Sequence, residues 1–193
     1  MPLHLPPKYV QPTDDLSASL YWEGNDGPWS SFVLQVGTPP QEVRVLPSTA
    51  SSSTWVIMED PGCNSAPIPN CPASRGKTFN SSISGTWKGN LQWSVYDLGV
   101  GDQLRDYTVN GDYGFDTVAL GHLRGGGPSV RGVVAAVGDT HFTWLGALGL
   151  NPRPVNFTDK PQEPFTSLLQ QLKDQGNISS LSWAYTAGAQ YRR

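Results

Sequence analysis

Long apolar runs, blocks of like charge and clustered metal ligands are all scarce in this sequence of 193 residues. The longest wholly apolar stretch, Val133 to Val137, falls far short of the roughly 20 residues a membrane helix needs, so no membrane segment is expected. Lys and Arg number 13 against 16 Asp and Glu, and Arg192-Arg193 is the longest basic run. That balance cannot neutralise a row of phosphates, which excludes nucleic acid as the expected partner. His4, His122 and His141 are dispersed and give no ligand spacing for zinc; neither a metal nor a cofactor is expected. Gly125-Gly126-Gly127 does not stand between a strand and a helix, so it is a loop and no phosphate cradle. Met1 is followed by Pro2-Leu3-His4 and no apolar core segment, so no signal peptide is expected in this chain.

What the sequence has in abundance is turn chemistry. Its 21 Gly and 17 Pro, with only 15% charged residues, disfavour helices and favour an all-β fold of one domain. Residues 1–19 carry Pro2, Pro6, Pro7, Pro12 and Asp14-Asp15 without periodicity and are expected to form an extended arm. From there the pattern changes. Ser31 to Val36 and Glu42 to Leu46 are β-rich runs around Gly37-Thr38-Pro39-Pro40, a hairpin signal. Thr54 to Met58 predicts a buried strand, and Gln92 to Leu98 alternates with period two before a glycine turn. Asp112 to Leu120 and Val130 to Val137 predict two more strands. Phe165, Leu168, Leu169 and Leu172 repeat at helical spacing behind Pro164, with Gly176 as a stop, predicting one helix of about three turns on the sheet. Leu181 to Thr186 alternates again as a closing strand. Asp97, Asp112, Asp116 and Asp139 are expected at turns or strand ends as solvated carboxylates.

Cys63 and Cys71 enclose a short proline-rich segment and can form one disulfide. Three sequons, at Asn80, Asn156 and Asn177, are candidate glycosylation sites. With the cysteine pair they point to the secretory pathway, and so to a secreted or cell-surface location.

Read from Phe32, the order of segments resembles the N-terminal lobe of the pepsin-like aspartic proteases. Val36-Gly37-Thr38-Pro39-Pro40-Gln41 is similar to the strand and turn ahead of that family's first catalytic strand. Val45-Leu46-Pro47-Ser48-Thr49-Ala50-Ser51 followed by Trp55-Val56 falls where the family has its Asp-Thr-Gly-Ser loop. Cys63 and Cys71 sit where the family places its first small disulfide loop, and Tyr96 where it places the flap tyrosine. Gly114-Phe115-Asp116-Thr117-Val118 resembles the segment after the flap, and Leu145-Gly146-Ala147-Leu148-Gly149-Leu150 the strand that threads past the catalytic loop. Trp183-Ala184-Tyr185-Thr186-Ala187-Gly188-Ala189-Gln190-Tyr191 resembles fungal members in particular. The resemblance implies an all-β, pepsin-like barrel lobe with one or two short helices over residues 20–193, without the second lobe.

Two departures bear on the chemistry. Ser48 stands at the family's aspartate position, with Ala50 where glycine is expected. Hydrolysis in this family uses two carboxylates sharing one proton, one a base toward water and the other a donor to the carbonyl oxygen. A serine hydroxyl titrates far too high to act as that base. The second carboxylate belongs to the other lobe. The resemblance therefore implies an aspartic-endopeptidase-like protein that is inactive as it stands, with Ser48 a hydrogen-bonded relic. Thr49, Ala50, Ser51, Tyr96, Asp97 and Leu98 would line a cleft for a peptide or protein ligand, beside a second lobe or a homodimer partner. Ser48 as a nucleophile needs an adjacent base, and neither His122 nor His141 stands in a spacing that supplies one. Tyr96 on a hairpin is equally a cross-strand packing residue. A structural or cell-surface interaction module, and a fragment of an active secreted endopeptidase, are the alternative readings.

Overall fold

The computed structural model describes residues 31–59, 63, 70–89, 94–96, 109–138, 145–154 and 166–184. The arm at 1–19 lies outside them, as do Gln92, Trp93, Asp97, Leu98 and Asp139. The described residues form one sheet with strands β1 (Phe32–Val36), β2 (Gln41–Ser48), β3 (Trp55–Ile57), β4 (Lys88–Gly89), β5 (Ser94–Tyr96), β6 (Val109–Leu120), β7 (Ser129–Val137) and β8 (Gly146–Gly149). Helical segments are α1 (Cys71–Ser74), a 3-10 turn (Ser81–Ile83) and α2 (Leu168–Asp174). This is the expected all-β lobe.

The sheet runs β1-β2-β8-β3-β7-β6-β4, with β5 also on β6. A further antiparallel pairing of β1 with β6, Leu34 opposite Leu120, curls the sheet back on itself. Both sides of β1 therefore carry a strand, and Val33 to Val36 are buried throughout. The hairpin read around Gly37-Thr38-Pro39-Pro40 is β1 and β2, paired from Phe32 opposite Val45 to Val36 opposite Gln41. Two contacts are parallel, β2 with β8 and β3 with β7. Inside the curl, Leu34, Val43, Val45, Val56, Phe79 and Val134 make the core. Each such side chain is worth about 1.5–3 kcal/mol of burial.

The amphipathic helix is shorter than its apolar spacing suggested. Ser167 caps α2 with its hydroxyl, accepting the Gln170 N–H at 3.2 Å, so the first turn starts there and not behind Pro164. Phe165 lies outside the described residues. Leu168, Leu169 and Leu172 are buried, and α2 packs against β7 and β8. At its far end the Gln175 carboxamide exchanges two hydrogen bonds with the Arg131 main chain, at 3.3 and 3.2 Å. A helix side chain thus stands in for a strand neighbour along part of β7.

Two other expectations are corrected. Leu181 to Ala184 is not a strand: alternation sets which faces residues present, but a strand also needs a partner, and no described strand pairs with this segment. Tyr185 and Thr186 lie outside the described residues. Asp112 and Asp116 are not at turns or strand ends but inside β6. Asp116 is 0% exposed, accepting from Ser84 Oγ at 2.8 Å, Thr86 Oγ1 at 2.5 Å and the Thr117 N–H at 2.8 Å. Hydroxyls from a neighbouring loop supply the solvation that water would otherwise give.

Candidate functional site

The segment carrying Ser48 is shaped by the short strand it encloses. β2 runs to Ser48, and β8 lies parallel beside it with Val45 opposite Gly146 and Ser48 opposite Gly149. On its other side β8 meets β3, where Trp55 faces Ala147. The chain between β2 and β3, residues 49–54, therefore wraps around the end of β8. Hydrogen bonds fix this wrap: Leu150 N–H donates to the Ser48 carbonyl at 2.8 Å and Asn151 N–H to the Ser51 carbonyl at 3.2 Å. Gly149 N–H donates to Thr54 Oγ1 at 3.2 Å. The approach is so close that a Cβ on Gly149 would stand 2.4 Å from the Ser52 carbonyl carbon and oxygen, and one on Gly146 2.3 Å from the Trp55 oxygen. Only glycine fits at either end of the threading strand. The sequence pattern Leu145 to Leu150 is thereby accounted for.

Along the loop, Ser51, Ser52, Ser53 and Thr54 are buried while Thr49 and Ala50 are exposed and Ser48 is half-buried. Ser51 Oγ accepts the Ser53 N–H at 3.0 Å, closing a local turn. The Ser52 hydroxyl is buried with no hydrogen-bond partner among the described residues. The tip facing solvent is thus Ser48-Thr49-Ala50, held by its main chain. What anchors Ser48 is its carbonyl; its hydroxyl, expected from the sequence to be hydrogen-bonded, has no hydrogen-bond partner among the described residues. Asn151, which also reaches the Ala50 carbonyl at 3.5 Å, was not singled out from the sequence, where a single Asn after a strand carries no distinguishing signal.

The described histidine stands elsewhere. His122 Nδ1 lies 3.3 Å from Glu42 Oε1, at the start of β2, whereas Ser48 ends that strand. Glu42 and Ser48 stand six positions apart along the strand, about 20 Å at the rise of a β-strand. His122 is therefore no base for Ser48; His4 and His141 lie outside the described residues. Glu42 is half-buried, which pushes its carboxyl up, but the Leu123 N–H, Lys77 and His122 outweigh that and hold it below the usual carboxylate range. Among the described residues no group of three or more His, Cys, Asp or Glu could hold a metal.

The remaining site residues are placed as follows. Tyr96 ends β5 opposite Val109 of β6, which puts its backbone on a hairpin whose continuation through Asp97 and Leu98 lies outside the described residues. Cys63 and Cys71 are both buried and joined by a disulfide, with Cα atoms 5.5 Å apart. Asn80 caps the 3-10 turn through its side chain, Asn177 is exposed just after α2, and Asn156 lies outside the described residues. No helix among the described residues is long and apolar enough to cross a membrane.

Comparison with known proteins agrees with this geometry. A probable aspartic-type endopeptidase of Arthroderma benhamiae and one of Trichophyton verrucosum are each 30% identical to the chain over 156 residues, 78% of it. The chain spans 28% of the length of these relatives. A family model described as eukaryotic aspartyl protease matches residues 32–188, from the first strand of the sheet to beyond α2. With that match covering well over half of the sequence, on an all-β lobe whose β2–β3 loop encircles a glycine-bounded strand, the chain belongs to the eukaryotic aspartyl protease family.

Proposed function

We propose that this lobe is a non-catalytic, aspartic-endopeptidase-like binding module, secreted or held at the cell surface, whose cleft receives a peptide or protein. The observation that carries the reading is Ser48: it ends β2 on the loop that in this family presents the first catalytic aspartate, and the loop 48–54 contains no carboxylate. Peptide hydrolysis by a shared-proton dyad requires a carboxylate there, able to take a proton from water near working pH. A serine hydroxyl can donate and accept hydrogen bonds to a bound main chain, but it cannot be that base. The exposed Thr49 and Ala50 beside it, with Tyr96, Asp97 and Leu98 of the following hairpin, form the surface we assign to the ligand.

The disulfide and the sequons support passage through an oxidising, glycosylating compartment. Residues 20–193 are read as one lobe, and a second lobe or a second copy of the chain is read as completing the cleft. Because the relatives are named endopeptidases and are much longer, a contribution of this lobe to an active full-length enzyme is the second reading. Titration calorimetry with pepstatin, a transition-state mimic of aspartic proteases, separates the two. The binding-module reading predicts weak or absent binding together with capture of peptides from an array that is lost in Tyr96→Ala. Tight pepstatin binding contradicts it and favours the enzyme; array binding unchanged in Tyr96→Ala favours an interaction module that does not use the cleft.

A further inference from the structure

Two Asn-x-Ser sequons lie among the described residues, and the fold treats them in opposite ways. The carboxamide of Asn80 is committed at both ends. Its Oδ1 accepts the Ser82 N–H at 2.9 Å, capping the 3-10 turn, and its Nδ2 donates to Glu59 Oε2 at 2.8 Å. The main chain of Asn80 is held as well, its N–H donating to Gln41 Oε1 at 2.8 Å and its carbonyl accepting from Gln41 Nε2 at 2.9 Å. A sugar on Nδ2 would replace one of two amide hydrogens and place a bulky group beside the Glu59 carboxylate in a half-buried site.

Asn177 is presented by a helix end. Gly176 adopts a φ of 77°, and its N–H donates to the Lys173 carbonyl at 2.9 Å while the Asn177 N–H donates to the Leu172 carbonyl at 2.8 Å. These two bonds make a Schellman close to α2, so the chain entering the sequon at Asn177 is held without any help from the Asn177 side chain. That side chain is exposed and has no hydrogen-bond partner among the described residues. The middle residue, Ile178, packs partly buried on the core, and Ser179 is exposed again. An anchored Ile between two outward residues leaves the acceptor amide and the hydroxyl that a sequon requires both open to solvent.

We infer that Asn177 is the N-glycosylated asparagine of this pair and that Asn80 stays unmodified in the folded protein. The donor is a lipid-linked oligosaccharide pyrophosphate. Asn177 Nδ2 forms a bond to the anomeric carbon, the bond from that carbon to the pyrophosphate oxygen breaks, Nδ2 loses one proton, and the lipid pyrophosphate departs. The inference rests on the secretory part of the proposed function and is independent of whether catalysis is lost.

The test sends the full chain through the secretory pathway of a yeast host behind an added signal peptide. Protein recovered from the medium is deglycosylated by peptide N-glycosidase in water enriched in oxygen-18, which leaves a labelled Asp wherever a glycan stood. The expected map has label at position 177, none at position 80, and none at 177 in Ser179→Ala, a change that leaves the Schellman bonds in place. Label at position 80, or an unlabelled position 177, overturns the inference. A thiol count on the same sample keeps the two readings apart. Bonded cysteines with Asn177 bare sink the assignment alone, whereas free thiols at Cys63 and Cys71 contradict the secretory reading whatever the glycan map shows.

Discussion

Asp112 and Asp116 stand four residues apart on the same face of β6, yet their surroundings differ in kind. Asp116 is buried with three donors on its carboxylate, two of them hydroxyls of the loop that follows the 3-10 turn. Asp116→Ala removes the carboxylate that Ser84 and Thr86 both reach and leaves those hydroxyls only each other and Thr38, a loss of about 3 kcal/mol. That corresponds to roughly 6–12 °C in Tm by calorimetry. Asp112 is half-buried without such donors among the described residues, and burial raises its pKa. A carboxyl raised in the folded state opposes folding once it ionises, so its penalty is absent at low pH and grows as pH rises past the usual carboxylate range. Asp112→Asn is therefore expected to raise Tm slightly at neutral pH, with the gain vanishing in acid. Glu42 has the opposite sign: held below the usual range, it contributes stability at neutral pH that is lost as pH falls through its lowered pKa. An equal gain for Asp112→Asn at both pH values would show that the effect is packing and not charge.

Among the elements, the strand β8 and the loop around it are readable in the sequence, whereas the start of α2 and the fate of 181–184 are not. Gly146 and Gly149 were legible as a motif because close backbone approach demands glycine, and such positions leave a residue-type signature. Gly149→Ala drives a Cβ into the Ser52 carbonyl, and overpacking of this kind costs about 1–3 kcal/mol. We expect lowered stability and faster hydrogen exchange at the Leu150 amide, which donates to Ser48; an unchanged exchange rate there would mean the loop is not held by this contact. The hairpin of β1 and β2 is equally plain, since β-rich runs flank the Gly37-Thr38-Pro39-Pro40 turn. The start of α2 was not, because Pro164 and Ser167 are both competent starts and the Ser167 hydroxyl decides the matter only once Gln170 N–H is near it. Leu181 to Ala184 alternates like a strand but pairs with no described strand, which no local pattern can reveal. Asp116 was misplaced for a related reason: its donors, Ser84 and Thr86, are about thirty residues away in sequence.

For the molecule as a whole, the Cys63–Cys71 bridge closes a segment with a sequence separation of 8. A loop that short restricts the unfolded chain modestly, by about 2–3 kcal/mol in the chain-entropy account. The double variant Cys63→Ser with Cys71→Ser should lower Tm accordingly and still fold, since the core of β1, β2, β6 and β7 lies elsewhere; loss of all cooperative unfolding would contradict that. The role of Ser48 is tested by turnover of a fluorogenic peptide by the purified chain from acid to neutral pH, in parallel with Ser48→Ala and with Ser48→Asp plus Ala50→Gly. No turnover above the uncatalysed rate is expected for any of the three, because one lobe supplies at most one carboxylate and the shared-proton dyad needs two. Turnover by the unaltered chain that disappears in Ser48→Ala would make Ser48 a working catalytic group and contradict the reading outright.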